Sequence, residues 1–317
     1  MKSSAVWFLS IAAATPCRLS DEAIKLIAAN FVDRNIWPEQ KLREKFHRIK
    51  RLRRSDTFAL RGLVKCLDRN MDYFSSEDIS DFRSEVLGAE GGSVLFLEHT
   101  APSLKDFEEI KLVEFTSTTA NDLRAGILRR CCRQKGHPRG VLLDLRGNGG
   151  GQVRAAVGVA SLFLPPGSTV ALVSSSNKEL SELVTPDSGL CGMLFRRPSR
   201  TILRSLPIVI VVDKHTASAA EILAGSLKDH CRATIVSCDS GRRPRFGRHR
   251  TYGKGTIQTP LALSDGSALL ITTHRFFTPL GFPVDKHGIK SDSVVKSWQD
   301  LQSIALPQQV RFHEIEE

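Results

Sequence analysis

Leu206-Pro207-Ile208-Val209-Ile210-Val211-Val212-Asp213-Lys214-His215-Thr216-Ala217-Ser218-Ala219-Ala220-Glu221-Ile222 decides how this chain is read. The apolar run 206–212 reads as a buried strand. The small-residue stretch after it reads as a helix start, so Ser218 falls where a strand end turns into a helix, near an electropositive N-terminus. Such a place suits an acyl-transfer nucleophile, although a serine there is more often a helix cap.

Outward from this stretch, strands and helices alternate. Residues 110–115, 141–145, 170–173 and 233–236 read as strands; 120–130, 152–163 and 218–228 read as helices. That order predicts an α/β layered core. Ser264-Asp265-Gly266-Ser267 predicts a hairpin turn between strands over 257–263 and 268–273. Near the N-terminus, Ser20-Asp21-Glu22 with apolar Ile24, Ile27 and Phe31 predicts a capped amphipathic helix, and 57–67 a second one.

The composition is that of an ordinary globular protein, with 317 residues, 41% of them hydrophobic and 25% charged. No stretch approaches the roughly 20 apolar residues that span a bilayer. A formal charge of +11 and the basic series Lys41, Arg43, Lys45, Arg48, Lys50, Arg51, Arg53 and Arg54 raise the question of nucleic acid. No aromatic platform or nucleic-acid motif accompanies them, so the series reads as a solvated helix face and no nucleic-acid partner is expected. The seven cysteines show no C-x-x-C spacing, so mostly buried free thiols, no metal and no cofactor are expected. Residues 1–19 combine one early positive charge, an apolar run and Ala12-Ala13-Ala14, as in a signal or targeting segment cleaved near Ala14.

Two further segments carry chemistry beside the serine: Thr251-Tyr252-Gly253-Lys254-Gly255-Thr256-Ile257-Gln258 and Leu142-Leu143-Asp144-Leu145-Arg146-Gly147-Asn148-Gly149-Gly150-Gly151. A serine hydroxyl needs a base to act at neutral pH, and Lys254, between two glycines, is a candidate once desolvated. His215, three residues before Ser218, reads as a turn residue. If the lysine segment continues as a strand, the even spacing puts Lys254 and Gln258 on one face.

Together with Thr272-Thr273-His274-Arg275-Phe276-Phe277-Thr278-Pro279 and Gly281, and with the helical Asp21-Glu22-Ala23, Trp37 and Leu67-Asp68-Arg69 upstream, these motifs resemble the carboxyl-terminal processing (tail-specific) proteases of the cyanobacterial and plastid branch. Gly149 stands where that family usually has proline. The resemblance implies a ClpP/crotonase-like layered protease core and a Ser218–Lys254 dyad with Gln258 orienting the lysine. It further implies Gly150 and Ala219 as oxyanion-hole donors, and Glu221 and Thr251 as supporting residues. Asp144 is left outside the catalytic set.

The expected organisation is a possible targeting segment (1–19), a helical N-terminal region (20–82), a short linker where relatives carry a PDZ domain (83–108), the protease core (109–297) and a tail (298–317). The linker is too short for a domain. Thirty-six positions separate Ser218 from Lys254, wider than the family's usual spacing, and the excess falls in a basic glycine- and proline-containing stretch over 240–250. The expected activity is serine endopeptidase cleavage near the C-terminus of proteins with unstructured C-termini, in an extracytoplasmic compartment or a plastid lumen. The competing expectation is a scaffold that keeps the fold with impaired catalysis.

Overall fold

Strands β4 (Gly140–Asp144) and β7 (Ile208–Val212) are buried along their whole length, and the apolar residues 141–143 and 208–212 suit parallel strands covered on both faces. They lie side by side, Asp144 opposite Val211, in a six-stranded sheet ordered β11-β8-β7-β4-β3-β2. The remaining members are β2 (Val94–Phe96), β3 (Phe107–Leu112), β8 (Ala233–Cys238) and β11 (Ser293–Val295), and only β2 runs antiparallel to its neighbour. This computed structural model describes residues 19–53, 55–79, 93–97, 107–133, 140–186, 203–238 and 249–295. The leader-like segment through residue 18, most of the linker, residues 240–248 of the basic stretch, the last two residues of the expected core (296–297) and the tail (298–317) lie outside the described residues.

The chain divides into two compact units, Met1–Ile79 with Gln258–Thr272, and Ser80–Ile257 with Thr273–Glu317. The first unit contains α1 (Leu19–Asn30), α2 (Glu39–Arg53) and α3 (Asp56–Leu67). Their apolar stripes bury Ile24, Ile27, Leu42, Phe46, Leu60 and Leu63 in one core. Short β1 (Asp72–Phe74) pairs with the beginning of β10 (Ala268–Phe277), and Leu263, Leu269 and Ile271 complete the core. At the tip of the hairpin between β9 (Thr256–Ala262) and β10, Gly266 takes the left-handed φ of 84° that the turn needs. Glu22 accepts hydrogen bonds from the backbone N–H and hydroxyl of Ser264 there, tying helix to turn. On α2, Arg43 pairs with Asp21 and Glu39, and Lys50 with Asp56, while Leu42 and Phe46 face inward.

In the second unit, α4 (Thr119–Arg133), α5 (Val153–Phe163) and α6 (Ala219–Asp229) cover the large sheet. β5 (Thr169–Ser174), β6 (Leu180–Val184) and the end of β10 add an antiparallel layer. Helix α6 is buried on every side from Ala219 to Leu227, which explains its small residues: a Cβ on Gly225 would stand 3.1 Å from both Ile289 and Thr278 side-chain carbons. The fold is therefore mixed α/β, as expected. Two details depart from expectation. The strand placed over 110–115 runs Phe107–Leu112, because its register is set by parallel pairing of Glu109 with Leu142. Among the described residues the thiols of Cys66 and Cys231 are free and exposed, exceptions to the mostly buried thiols expected. Cys66 lies off the buried stripe Ala59, Leu60, Leu63, Val64 of α3, and Cys231 occupies a left-handed turn position after α6.

Candidate active site

Because β4 and β7 are adjacent and parallel, the turns leaving their C-terminal ends lie together, the usual place for a site in an open α/β sheet. Cross-bonds lock the two turns. Thr216 donates its hydroxyl to Leu145 O at 2.8 Å, Ala217 N–H bonds Asn148 O at 2.9 Å, and Gly147 N–H bonds Asp213 Oδ1 at 3.1 Å. Asp213 Oδ1 also accepts the backbone N–H groups of His215 and Thr216, which holds the turn before the serine; His215 itself is exposed.

Ser218 caps α6 with φ 55° and ψ −120°, a conformation that costs a non-glycine residue on the order of 1–3 kcal/mol. Gly150 lies directly against it: a Cβ there would be 2.7 Å from Ser218 Cβ and 3.0 Å from Ala219 N. The Gly150 N–H donates to Asn148 Oδ1 at 2.8 Å, while fully buried Asn148 donates its own amide to Leu112 O at 2.9 Å. Gly151, at φ 125°, passes so close to the chain that a Cβ would meet Phe115 O at 2.3 Å. Gly149 differs: its φ is not positive and nothing stands within 4 Å of a Cβ built on it.

Glu221 joins the serine to the lysine. Fully buried in the first turn of α6, its Oε2 accepts the backbone N–H of Ser218 and of Lys254, both at 2.9 Å, so the two backbones are held side by side. Its Oε1 accepts the Gly253 N–H at 2.7 Å and the Thr251 hydroxyl, which in turn accepts Ile289 N–H at 2.7 Å. Burial pushes the Glu221 carboxyl above its ordinary range, against the opposing pull of Thr251, Gly253, Ser218 and Lys254. The glycines flanking Lys254 are demanded by close approach. A Cβ on Gly253 (φ 83°) would be 3.0 Å from Lys286 C, and one on Gly255 2.0 Å from Asp285 N. Ser218 and Lys254 are both half-buried.

Six of the seven expected site residues, Ser218, Lys254, Gly150, Ala219, Glu221 and Thr251, thus belong to the second unit, and these bonds and contacts connect them. Gln258, four residues beyond Lys254, belongs to the first, where its Nε2 donates to Thr272 Oγ1 at 3.3 Å. Sequence reasoning did not single out Asn148, Asp213 or Thr216; a polar residue among glycines is the signal that Asn148 offered. Asp144 is structural. Burial pulls its carboxyl up, but hydrogen bonds from Arg146 and the charges of Arg146 and Lys111 outweigh this and hold it below the ordinary carboxylate range.

A mostly parallel α/β sheet thus carries a strained serine at a strand–turn–helix junction, bonded through one glutamate to a glycine–lysine–glycine loop. Residues 109–295 match Peptidase family S41, and the chain belongs to that family. It is 32% identical over 194 residues to carboxyl-terminal-processing peptidase 1, chloroplastic, of Arabidopsis thaliana, covering 61% of this chain and 34% of that protein. It is 34% identical over 166 residues to the carboxyl-terminal-processing protease of Synechocystis sp., covering 52% and 33%. The chain thus spans about a third of the length of these relatives. Two solved structures share its fold: the photosystem II D1 C-terminal processing protease (TM-score 0.63, 21% identity, 89% of this chain and 94% of that one) and a lipoprotein from Streptococcus agalactiae (TM-score 0.61, 18% identity, 93% and 97%).

The glycine loop and the buried carboxylates can each be tested through stability. Gly149→Ala is expected to stabilise by about 0.4–1 kcal/mol through the unfolded chain, whereas Gly151→Ala, strained and clashing, should destabilise by more than that. Chemical denaturation of both variants checks the contrast, and equal effects would contradict the geometry. The carboxylates should show opposite pH dependence. Asp144, held low in the fold, contributes stability above its unfolded value that is lost as the pH falls through its folded one. Glu221, pushed high, contributes most below its unfolded value and less as the pH rises toward its folded one. On acidification from neutral pH, the destabilisation caused by Asp144→Asn should therefore shrink and that caused by Glu221→Gln should grow. Slopes of the same sign would refute this assignment.

Proposed function

We propose that the chain is a serine endopeptidase that cleaves near the C-terminus of protein substrates, with Ser218 as nucleophile and Lys254 as general base. The observation that carries this reading is the Glu221 carboxylate, which accepts the Ser218 and Lys254 backbone amides on one oxygen. Ser218 Oγ would attack the substrate carbonyl carbon while its proton passes to the Lys254 amine. The lysine then returns that proton to the leaving amine, and water repeats the sequence to release the acyl group. Gln258 is assigned to orient the lysine. The Ala219 N–H, at the start of α6, is the first donor for the oxyanion, where the helix terminus favours negative charge. For Gly150 to act as the second donor, its N–H exchanges Asn148 Oδ1 for the oxyanion.

Substrates are taken to be proteins with unstructured C-termini, in an extracytoplasmic or plastid-lumen setting, on the strength of chloroplastic and cyanobacterial relatives. With no room for a PDZ domain over 83–108, selectivity for the terminal carboxylate is expected to be weak. The Gly150–Asn148 hydrogen bond favours the alternative of an impaired scaffold, since it occupies a donor that catalysis needs.

Hydrolysis of an unstructured peptide separates the two readings. Ser218→Ala and Lys254→Ala should each lower kcat by about a hundredfold or more, and the double variant should lose little beyond either one, because the pair acts as a unit. A nucleophile-directed probe should label the wild type and not Ser218→Ala. Hydrolysis that survives Ser218→Ala would overturn the proposal, and a wild type that neither cleaves nor labels would establish the scaffold.

A further inference from the structure

Three polar side chains form a chain of hydrogen bonds within the first unit. Thr272, fully buried, donates its hydroxyl to Asp68 Oδ2 at 2.7 Å and accepts from Gln258 Nε2 at 3.3 Å. The polarity of this chain is forced. A carboxylate can only accept, and a threonine hydroxyl has a single proton. That proton goes to Asp68, leaving Thr272 Oγ1 with lone pairs, so the end of the Gln258 amide that meets it must be the NH2. The Gln258 carbonyl oxygen is thereby turned away from Thr272.

Both supports are anchored. Asp68 closes α3, its own N–H bonding Val64 O at 3.1 Å, and its Oδ1 accepts Asn70 N–H at 2.8 Å. The Thr272 carbonyl accepts Val32 N–H at 2.9 Å.

We propose that Asp68, acting through Thr272, is a positioning residue that fixes which end of the Gln258 amide serves the catalytic lysine. This rests on the assignment of Gln258 as the group that orients Lys254. An amine acting as a base must engage its N–H donors and keep its lone pair for the serine proton. A glutamine oxygen does this by accepting from the amine. A glutamine NH2 in its place would compete for the lone pair and oppose the charged form of the lysine.

Asp68→Asn tests the lock with almost no change of shape. The Asn oxygen still accepts Asn70 N–H, so its NH2 replaces Oδ2 and donates to Thr272. The threonine proton is then redirected to Gln258, whose amide must turn over. Peptide hydrolysis should fall about tenfold in kcat with KM little changed. Thr272→Val, which removes the relay, should give a similar loss, and Thr272→Ser should retain activity; this pair keeps the test decisive if Asp68→Asn folds poorly.

The signature is a reversal. Gln258→Glu should lower kcat in the wild type, where a carboxylate meets the lone pairs of Thr272, and raise it in Asp68→Asn, where the redirected hydroxyl donates to it. Unchanged kcat in Asp68→Asn, or a Gln258→Glu effect of the same sign in both backgrounds, overturns the inference. Full activity in Gln258→Ala overturns it together with the role assigned to Gln258. Loss in Gln258→Ala but not in Asp68→Asn or Thr272→Val overturns the polarity lock alone and leaves that role standing.

Discussion

The buried carboxylate of Glu221 is the interaction on which the rest of the site depends. Four donors converge on its two oxygens, one from the serine turn and three from the lysine loop. A carboxylate removed from water is costly unless its lone pairs are satisfied, and here the satisfying donors are backbone and side-chain groups of the serine turn and the lysine loop. The cost of exposing that charge unsatisfied therefore opposes any movement that parts the two loops. Lying in the first turn of α6, the carboxylate also faces the positive end of the helix.

This explains why α6 is packed as it is. Bounding strand β8 and helix α5 both press on it, and its residues from Ala219 to Leu227 are buried. A helix this enclosed cannot rotate or slide to relieve strain at its first residue. Ser218 is consequently held in a left-handed conformation by the elements around it: Asn148 bonds the preceding amide, Glu221 bonds its own, and Gly150 leaves room for its Cβ.

Much of this was legible in the sequence wherever one residue pattern had one physical solution. The apolar residues of β4 and β7, the Ser218-to-Glu221 helix start and the Ser264–Ser267 turn each have a short-range cause. What stayed hidden depends on partners distant in sequence. Strand β6 is mostly exposed and shows neither apolar run nor clean alternation, so only its pairing with β5 reveals it. The hairpin Gln258–Thr272 belongs with the N-terminal helices, an association no local pattern encodes. Glu221 was expected only as a supporting residue, and its bonds to Thr251 and Gly253 join segments about thirty positions apart. The same holds for Asn148, whose side chain reaches Leu112.

The glycines divide along the same physical line. Gly150, Gly151, Gly253 and Gly255 all stand where a Cβ would collide with backbone or with Ser218, and each brings a main-chain segment up to the site. Gly149 meets no such constraint, and it is also the position at which the chain departs from the proline of its family's motif. The residue there is not asked to let another segment approach. Main-chain amides, not side chains, carry most of the bonding that assembles this site, and residues without a Cβ are what allow those amides to come within reach of one carboxylate.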